Sequence, residues 1–365
     1  MVGAAARDAS ALLLGPRGRR LCLELATMLD AGTRQAVPSA AHALDPGAGT
    51  SRLLLSSASE GGPPQTSVDD VVSTLAAARW PVPGPRELLA ALDRAVGSAR
   101  YWQEPDGEDV LAAVPAVRAA LTPVAQLIAD SAHTACWAQP FLPSAQWSVV
   151  WHEEGRPDLD RAGRTADLDT WYAEALAEEA RARRERPADP AANLSGMWWS
   201  APPSVLPRTT RDLGATGPVG LWLVEDSFGW RSATVRRVAV PPGTRVTEID
   251  GAEAWVDLCR RFPLDVTASR RHDWYRTTGR GQGSWVQPNW AAVAREADAV
   301  HLSTAAYLST AGRALPVGQG AATALAGWDP DATVWLNGLS QSDDEESTVQ
   351  RWAFDQDHDC WRPAG

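Results

Sequence analysis

The sequence predicts an α+β fold, with a helical N-terminal domain followed by a mixed-sheet domain. Three observations lead there. Up to residue 135, apolar residues recur mostly at helical spacing and prolines punctuate the runs. From Trp137 onward, short β-type runs alternate with amphipathic segments. These strands and helices follow no regular βαβ beat, which favours a mixed sheet over a doubly wound parallel one. A chain of 365 residues with 44% hydrophobic content also has enough material to bury a core without disulfide or metal staples.

Taken in order, Leu21, Leu23, Leu25 and Leu29 follow a Gly-Pro-Arg turn with an ambiguous period. Val71 to Trp80 predicts a short helix. Pro85 suits the first turn of a helix over 86–96, where Leu88, Leu89, Leu92 and Val96 share a face. Residues 110–135 continue the helical pattern, started or kinked at Pro115 and Pro123. Trp147 to Trp151 reads as a strand, and Asp169 to Arg186 as an amphipathic helix with Glu179 four residues before Arg183.

Further candidate strands are 196–200, 219–224, 233–240, 245–249, 299–303 and 333–336, with a flanking apolar run at 324–327. Asp250 and Glu253 have capping-box spacing before a helix striped by Trp255, Leu258, Cys259 and Phe262. Asn289 is placed to cap a helix through Ala297, and Thr304 one through Ala314. The expected organisation is a helical domain at 1–150, a connecting helix and linker at 151–195, an α+β domain at 196–340, and an acidic, partly disordered tail at 341–365 onto which Trp352 and Trp361 could dock. The turn-rich stretches 56–67 and 153–167 read as loops.

Composition narrows the chemistry. A net charge of −11 argues against a nucleic-acid partner or an acidic membrane surface. No apolar run reaches the ~20 residues of a membrane span. The opening residues do not read as an export signal, and the four cysteines, Cys22, Cys136, Cys259 and Cys360, lie far apart. Reduced thiols in a cytoplasmic protein are the expectation. All 34 basic side chains are arginine, the usage of a GC-rich bacterial genome, which excludes Schiff-base and P-loop lysines. Eighteen tryptophans against four tyrosines and four phenylalanines supply large apolar area, and core filling is their ordinary role. HExxH, GxSxG, P-loop and EF-hand patterns are missing, and no metal ligand set is written locally.

The strongest candidate site is residues 268–290. Arg270, Arg271, Arg276 and Arg280 fall there with His272, Trp274 and Tyr275, and residues 231–280 hold ten arginines against six acids. Guanidinium forks match phosphate or carboxylate, and flat rings stack on a base. An ordinary face of ion pairs with Asp265 and Asp273 is the competing reading. His301 lies in a short apolar strand, as a catalytic base or as a satisfied core histidine. Tyr307 follows Thr304 by one helical turn, so both hydroxyls could point the same way. Asp329 and Asp331 flank Pro330 in a turn, where paired carboxylates serve as acid and base or merely shape the turn. Glu225-Asp226 after an apolar run is a fourth candidate with the same ambiguity.

RRHDWYRTTG, WVQPNW, DAVHLSTAAYLSTAGRALPV and AGWDPDATVWL, with GPRGRRLCLEL and RYWQEPDGEDVLAA upstream, resemble an actinobacterial protein family. That resemblance covers most of the chain; it implies a non-accidental architecture and no particular activity. Residues 196–340 are also similar in layout to compact ADP-ribosyltransferases, through PPGTRVTEID, VHLSTAAYL and a late acidic strand end. This likeness implies NAD in a sheet cleft, Tyr307 in the stacking part and Asp329 or Asp331 as the acid. Two functions are therefore expected. One is an enzyme, or degenerate enzyme, with a small anionic, nucleotide-like ligand such as NAD at Arg270, Arg271, His272 and Tyr275, and with His301 and Tyr307 lining the cleft. The other is an interaction protein with a protein partner on a Trp/Arg-rich surface.

Overall fold

In the computed structural model the described residues are 8–47, 66–152, 168–227, 229–339 and 349–364. The chain folds as α+β. Eight helices come first: α1 (Ala9–Leu12), α2 (Pro16–Leu29), α3 (Ala31–Leu44), α4 (Val68–Ala77), α5 (Pro85–Gly97), α6 (Gly107–Ala113), α7 (Pro115–Ala120) and α8 (Thr122–Asp130). Their starts follow sequence rules. Pro16, Pro85 and Pro115 occupy first-turn positions, and Ser67 with Asp70 forms a reciprocal capping box on α4. The ambiguous leucines belong to α2, which packs against α3, α5 and α6 and buries Leu21, Leu23 and Leu25. Its polar residues are buried too. Arg17 pairs with Asp109, and Arg20 bonds Glu24 and Asp106 at 2.8 Å each.

Gly18 lets α2 cross its own lead-in. A Cβ there would lie 2.0 Å from the Leu12 carbonyl oxygen, a backbone atom with little freedom to retreat. Gly18→Ala is expected to destabilise the protein by about 1–3 kcal/mol, the usual range for overpacking. Urea denaturation measures it, and an unchanged midpoint would count against the close packing of α1 on α2.

The strands form two sheets. The first contains β1 (Gln146–Trp151), β2 (Arg208–Arg211), β3 (Ser232–Val238), β4 (Val246–Ile249), β7 (Ala299–Leu302), β10 (Thr333–Trp335), β11 (Val349–Asp355) and β12 (Cys360–Pro363). Their spatial order is β12-β11-β3-β1-β2-β10-β7-β4, antiparallel except for the parallel β4–β7 pair. In register, Trp147 sits opposite Arg237 and Thr210, and Thr333 opposite Thr209 and His301. The second sheet has the order β5-β6-β9-β8, from β5 (Pro263–Asp265), β6 (Ser284–Pro288), β8 (Leu315–Gly318) and β9 (Ala321–Thr323). The remaining α-helices among the described residues are α9 (Leu168–Glu185), α10 (Ala252–Arg261), α11 (Thr267–Thr278), α12 (Trp290–Val293) and α13 (Thr304–Thr310).

Several local expectations change. Residues 196–200 make no ladder, because their hydrogen bonds go elsewhere: the Gly196 N–H donates to Asp273 and the Ser200 N–H to the Ala326 carbonyl. Pro218 and Gly220 turn the apolar run at 219–221 into a 3₁₀ turn, closed by Leu221 N–H on the Pro218 carbonyl. The arginine-rich residues 267–278 form a helix that ends on Gly279 in a left-handed conformation. Ser303, not Thr304, caps α13, and the cap of α10 is Gly251 rather than Asp250. Residues 349–364 form an ordered hairpin where a partly disordered tail is expected, with Trp352 and Trp361 each only 5% exposed. The acidic run Asp343–Glu346 and most of the two loop stretches lie outside the described residues.

The apolar core is continuous from Leu21 and Leu25 through Tyr307 and Leu308 of α13 to Val300 and Trp328. Trp255, Trp290 and Trp328 are fully buried with ring centroids 5.7–6.3 Å apart. Each indole N–H has a partner, in Thr323, the Ser200 carbonyl and the Ala332 carbonyl respectively. Among the described residues no helix is long and apolar enough to cross a membrane.

Candidate functional site

The arginine-rich segment folds as α11, whose polar groups are largely committed to the neighbouring chain. Its N-terminus is held by the buried Glu179, which accepts from the N–H groups of Ala268 and Ser269 at 2.8 Å. Arg271 donates to the Pro187 carbonyl, and Arg276 to the Leu194 carbonyl and to Asp273. Arg270 donates to the Trp199 carbonyl at 3.3 Å, and the Trp274 indole to the Trp198 carbonyl at 2.7 Å. Burial first, then neighbouring arginines, lower the His272 pKa and favour its neutral form. Burial also lowers Arg270, to about 10. Arg270, Arg271, Trp274 and Arg276 thus brace residues 187–199, while both His272 ring nitrogens and Arg270 Nη1 are buried without a hydrogen-bond partner among the described residues.

His301 and Asp331 do meet. His301 Nδ1 lies 2.7 Å from Glu248, and Nε2 lies 3.5 Å from Asp331. Burial lowers this imidazole's pKa, but the hydrogen-bonded Asp331 and Glu248 carboxylates outweigh it and hold the pKa above its ordinary value. Asp331 is occupied by Arg211, through the backbone N–H at 2.9 Å and Nε at 2.5 Å. Arg211 continues to the carbonyls of Gln139 and Pro140, while Glu248 accepts from the Phe141 N–H. The cluster thus clamps residues 139–141 to the sheet. Tyr307 is fully buried and its hydroxyl has no hydrogen-bond partner among the described residues.

A cleft of about 520 Å³ opens beside these groups across β1, β2 and β3. The period-2 alternation of β1 turns Trp147, Val149 and Trp151 to one face, next to Arg208 and Thr210 of β2. Trp151 stacks on Trp230 at 5.4 Å. The opposing wall carries Trp198 and Trp199, whose rings meet edge to face. Gly327 has φ +75°, and a Cβ there would come 2.5 Å from that of Trp199, so only glycine permits this wall to close. Arg270 and Trp274 therefore act on the cleft from behind, by holding the carbonyls of its two adjacent tryptophans.

Asp329 brings negative charge to the cleft. Its side chain is 26% exposed, with Arg208 Nη1 at 3.6 Å. Its Oδ1 accepts the Glu225 backbone N–H at 2.9 Å. The Glu225 carboxyl itself is buried; burial, and next the Asp329 charge, push its pKa up to about 8. Two neighbouring carboxyls thus border the cleft, that of Glu225 buried and that of Asp329 partly exposed.

Of the sequence candidates, Asp329 and Glu225 line the cleft, His301 and Asp331 form the adjoining clamp, and Asp226, Arg270, Arg271, His272, Trp274, Tyr275, Arg276 and Tyr307 lie outside its lining. Sequence reasoning missed Arg208 and the tryptophan walls. The alternation Trp147-x-Val149-x-Trp151 carried a signal, since one face of a half-buried strand bears two indoles. The partners that make it a cleft come from residues 50 to 180 positions later. No family model, curated protein or solved structure matches the chain.

Proposed function

We propose that the chain is an enzyme for a small, anionic, nucleotide-like ligand bound in the tryptophan-walled cleft. The observation that carries this reading is Asp329, a partly exposed carboxylate in a cleft lined by indoles and beside Arg208. The indoles offer faces on which a base or sugar ring stacks. Arg208 offers a fork for a phosphate. Asp329 is suited to stabilise positive charge developing at a sugar carbon as a glycosidic bond breaks, the electron pair leaving with the departing base. A water or acceptor nucleophile then supplies the new bond and releases its proton to solvent. NAD, which has such a bond between ribose and a positively charged ring, is the first substrate to try.

The test is a thermal-shift screen with NAD, ADP-ribose, nucleotides and pyrophosphate, followed by turnover of whichever ligand binds. Wild type should melt higher with at least one phosphate-bearing ligand. Arg208→Ala should weaken that ligand more than tenfold, as expected for losing a charge-assisted contact of about 1.5–3 kcal/mol. Asp329→Asn should retain binding and lose turnover. Silence from every anionic ligand would overturn the enzyme reading in favour of a surface that binds a protein partner.

A further inference from the structure

Helix α11 supports the cleft along two routes. By one it holds the carbonyls of the wall residues Trp198 and Trp199, through Trp274 and Arg270. By the other it fixes the segment that follows α5. The Thr277 hydroxyl donates to the Tyr101 carbonyl at 3.0 Å, and Arg276 donates to the Trp102 carbonyl at 3.3 Å. The side chains of that segment reach onward to Asp226. Arg100 Nε donates to one carboxylate oxygen of Asp226 at 3.2 Å, and the Trp102 indole N–H donates to the other at 2.9 Å. Trp102 is 39% exposed, so its indole gives this hydrogen bond while adding little to the core.

Asp226 has φ +49°, a left-handed conformation that aspartate and asparagine adopt more readily than most residues. Two donors from a distant part of the chain hold it there. It shares a turn with Glu225, so a rotation of Asp226 carries the Glu225 peptide with it. The Glu225 backbone N–H donates to Asp329 Oδ1 at 2.9 Å. The other oxygen, Oδ2, is the one that faces Arg208, at 3.6 Å. The direction of a single backbone N–H therefore decides which oxygen of Asp329 is held and which is left beside Arg208. Hydrogen bonds weaken steeply off their line, and a misplaced group loses much of its catalytic effect.

Resting on the cleft reading above, we propose that Asp226 is a positioning residue: tied to the helical layer by Arg100 and Trp102, it aims the Glu225 N–H at Asp329 and so sets the orientation of the cleft carboxylate. The support runs from α11 through residues 101–102 to Asp226, and from there through Glu225 to Asp329. It gives the arginine-rich helix a part in the site without any contact to the ligand.

The experiment follows amide hydrogen exchange at Glu225 by NMR, without ligand, in wild type, Asp329→Ala, Asp226→Gly, Asp226→Asn and Trp102→Phe. Exchange is read relative to the amides of β7, which report whether the fold is intact. Glycine tolerates φ +49° yet brings no acceptor, whereas asparagine keeps both the conformation and an oxygen for the Trp102 indole. Wild type should protect the Glu225 amide, and Asp329→Ala should release it. Asp226→Gly and Trp102→Phe should each speed its exchange about tenfold or more, and Asp226→Asn should stay close to wild type. A turn that needs only its left-handed backbone would leave Asp226→Gly as protected as wild type, and that result overturns the proposal. So does a Glu225 amide that exchanges as fast in wild type as in Asp329→Ala.

A second arm follows NAD turnover. Asp226→Gly and Trp102→Phe should lower kcat several-fold with KM little changed, since Arg208 and the indole walls are untouched. Asp226→Asn should recover most of that loss. A kcat equal to wild type in both, with exchange at Glu225 raised, would remove Asp226 from the positioning role. Should wild type leave NAD intact, NAD fails as the cleft's substrate, while the ligand-free arm still decides whether Asp226 holds Asp329 in place.

Discussion

A chain ending at residue 348 should not reach the stability of the full protein and should bind hydrophobic dyes. The segment removed supplies β11, which pairs with β3 from Val349 to Ala353, and β12, which pairs with β11. It also removes two indoles. Trp352 packs where a Cβ on Gly217 would lie 2.9 Å from its ring, and Trp361 packs on Trp151 and Phe354 at 5.3 and 5.5 Å. Losing one buried tryptophan side chain costs about 3–5 kcal/mol, a large part of the 5–15 kcal/mol that holds a typical domain. Trp352→Ala alone should therefore lower the urea midpoint by a wide margin. If the truncated chain melted within a degree or two of full length, the hairpin would be an ornament on β3 rather than part of the core.

The second large effect is expected at Asp331. Asp331→Ala leaves the Arg211 guanidinium buried without its carboxylate, for a loss of about 3–5 kcal/mol. The backbone adds to the difficulty, because Asp331 has φ +60°, a conformation that alanine adopts less readily than aspartate. The pH dependence should change as well. His301 titrates above its ordinary 6.5 in the folded protein, so its contribution is full below that value and is lost as pH rises through the folded one. Without Asp331 that contribution shrinks, and the variant should lose more stability at pH 5 than at pH 9. Chemical denaturation at the two pH values measures this, and an equal loss at both would remove Asp331 from the histidine's surroundings.

The helices were legible in the sequence because their signals are local. Pro85, Pro115 and the Leu88–Leu92–Val96 stripe work within one or two turns, and each lies in a helix as expected. Of the strands, 147–151, 233–240, 245–249 and 299–303 were recognisable from β-branched and aromatic runs. The stretch 196–200 was not, because an extended backbone becomes a strand only when a neighbour accepts its hydrogen bonds, and here Asp273 and Ala326 take them. The site divides the same way. Asp329 could be flagged as a carboxylate on a turn. The arginine cluster drew attention through charge density, yet density along the chain does not reveal that the carbonyls of Pro187, Leu194 and Trp199 absorb those guanidinium groups. Arg208 shares its short strand with Arg211, and no local pattern marks which of the two reaches the cleft.

The strand order also governs when this protein becomes foldable. Among the described strands β1 is the first to leave the ribosome, but its two neighbours in the sheet begin at residues 208 and 232. β2 must then wait for β10, at residue 333, and β3 for β11, at residue 349. Closing such distant pairings is slow, because the chain between them must surrender its freedom before any ladder forms. Until β3 is complete at residue 238 the nascent chain therefore carries β1 with an unpaired edge, while the helices ahead of it can already pack. That interval, rather than the finished fold, is where this protein is most exposed to aggregation and most dependent on chaperones.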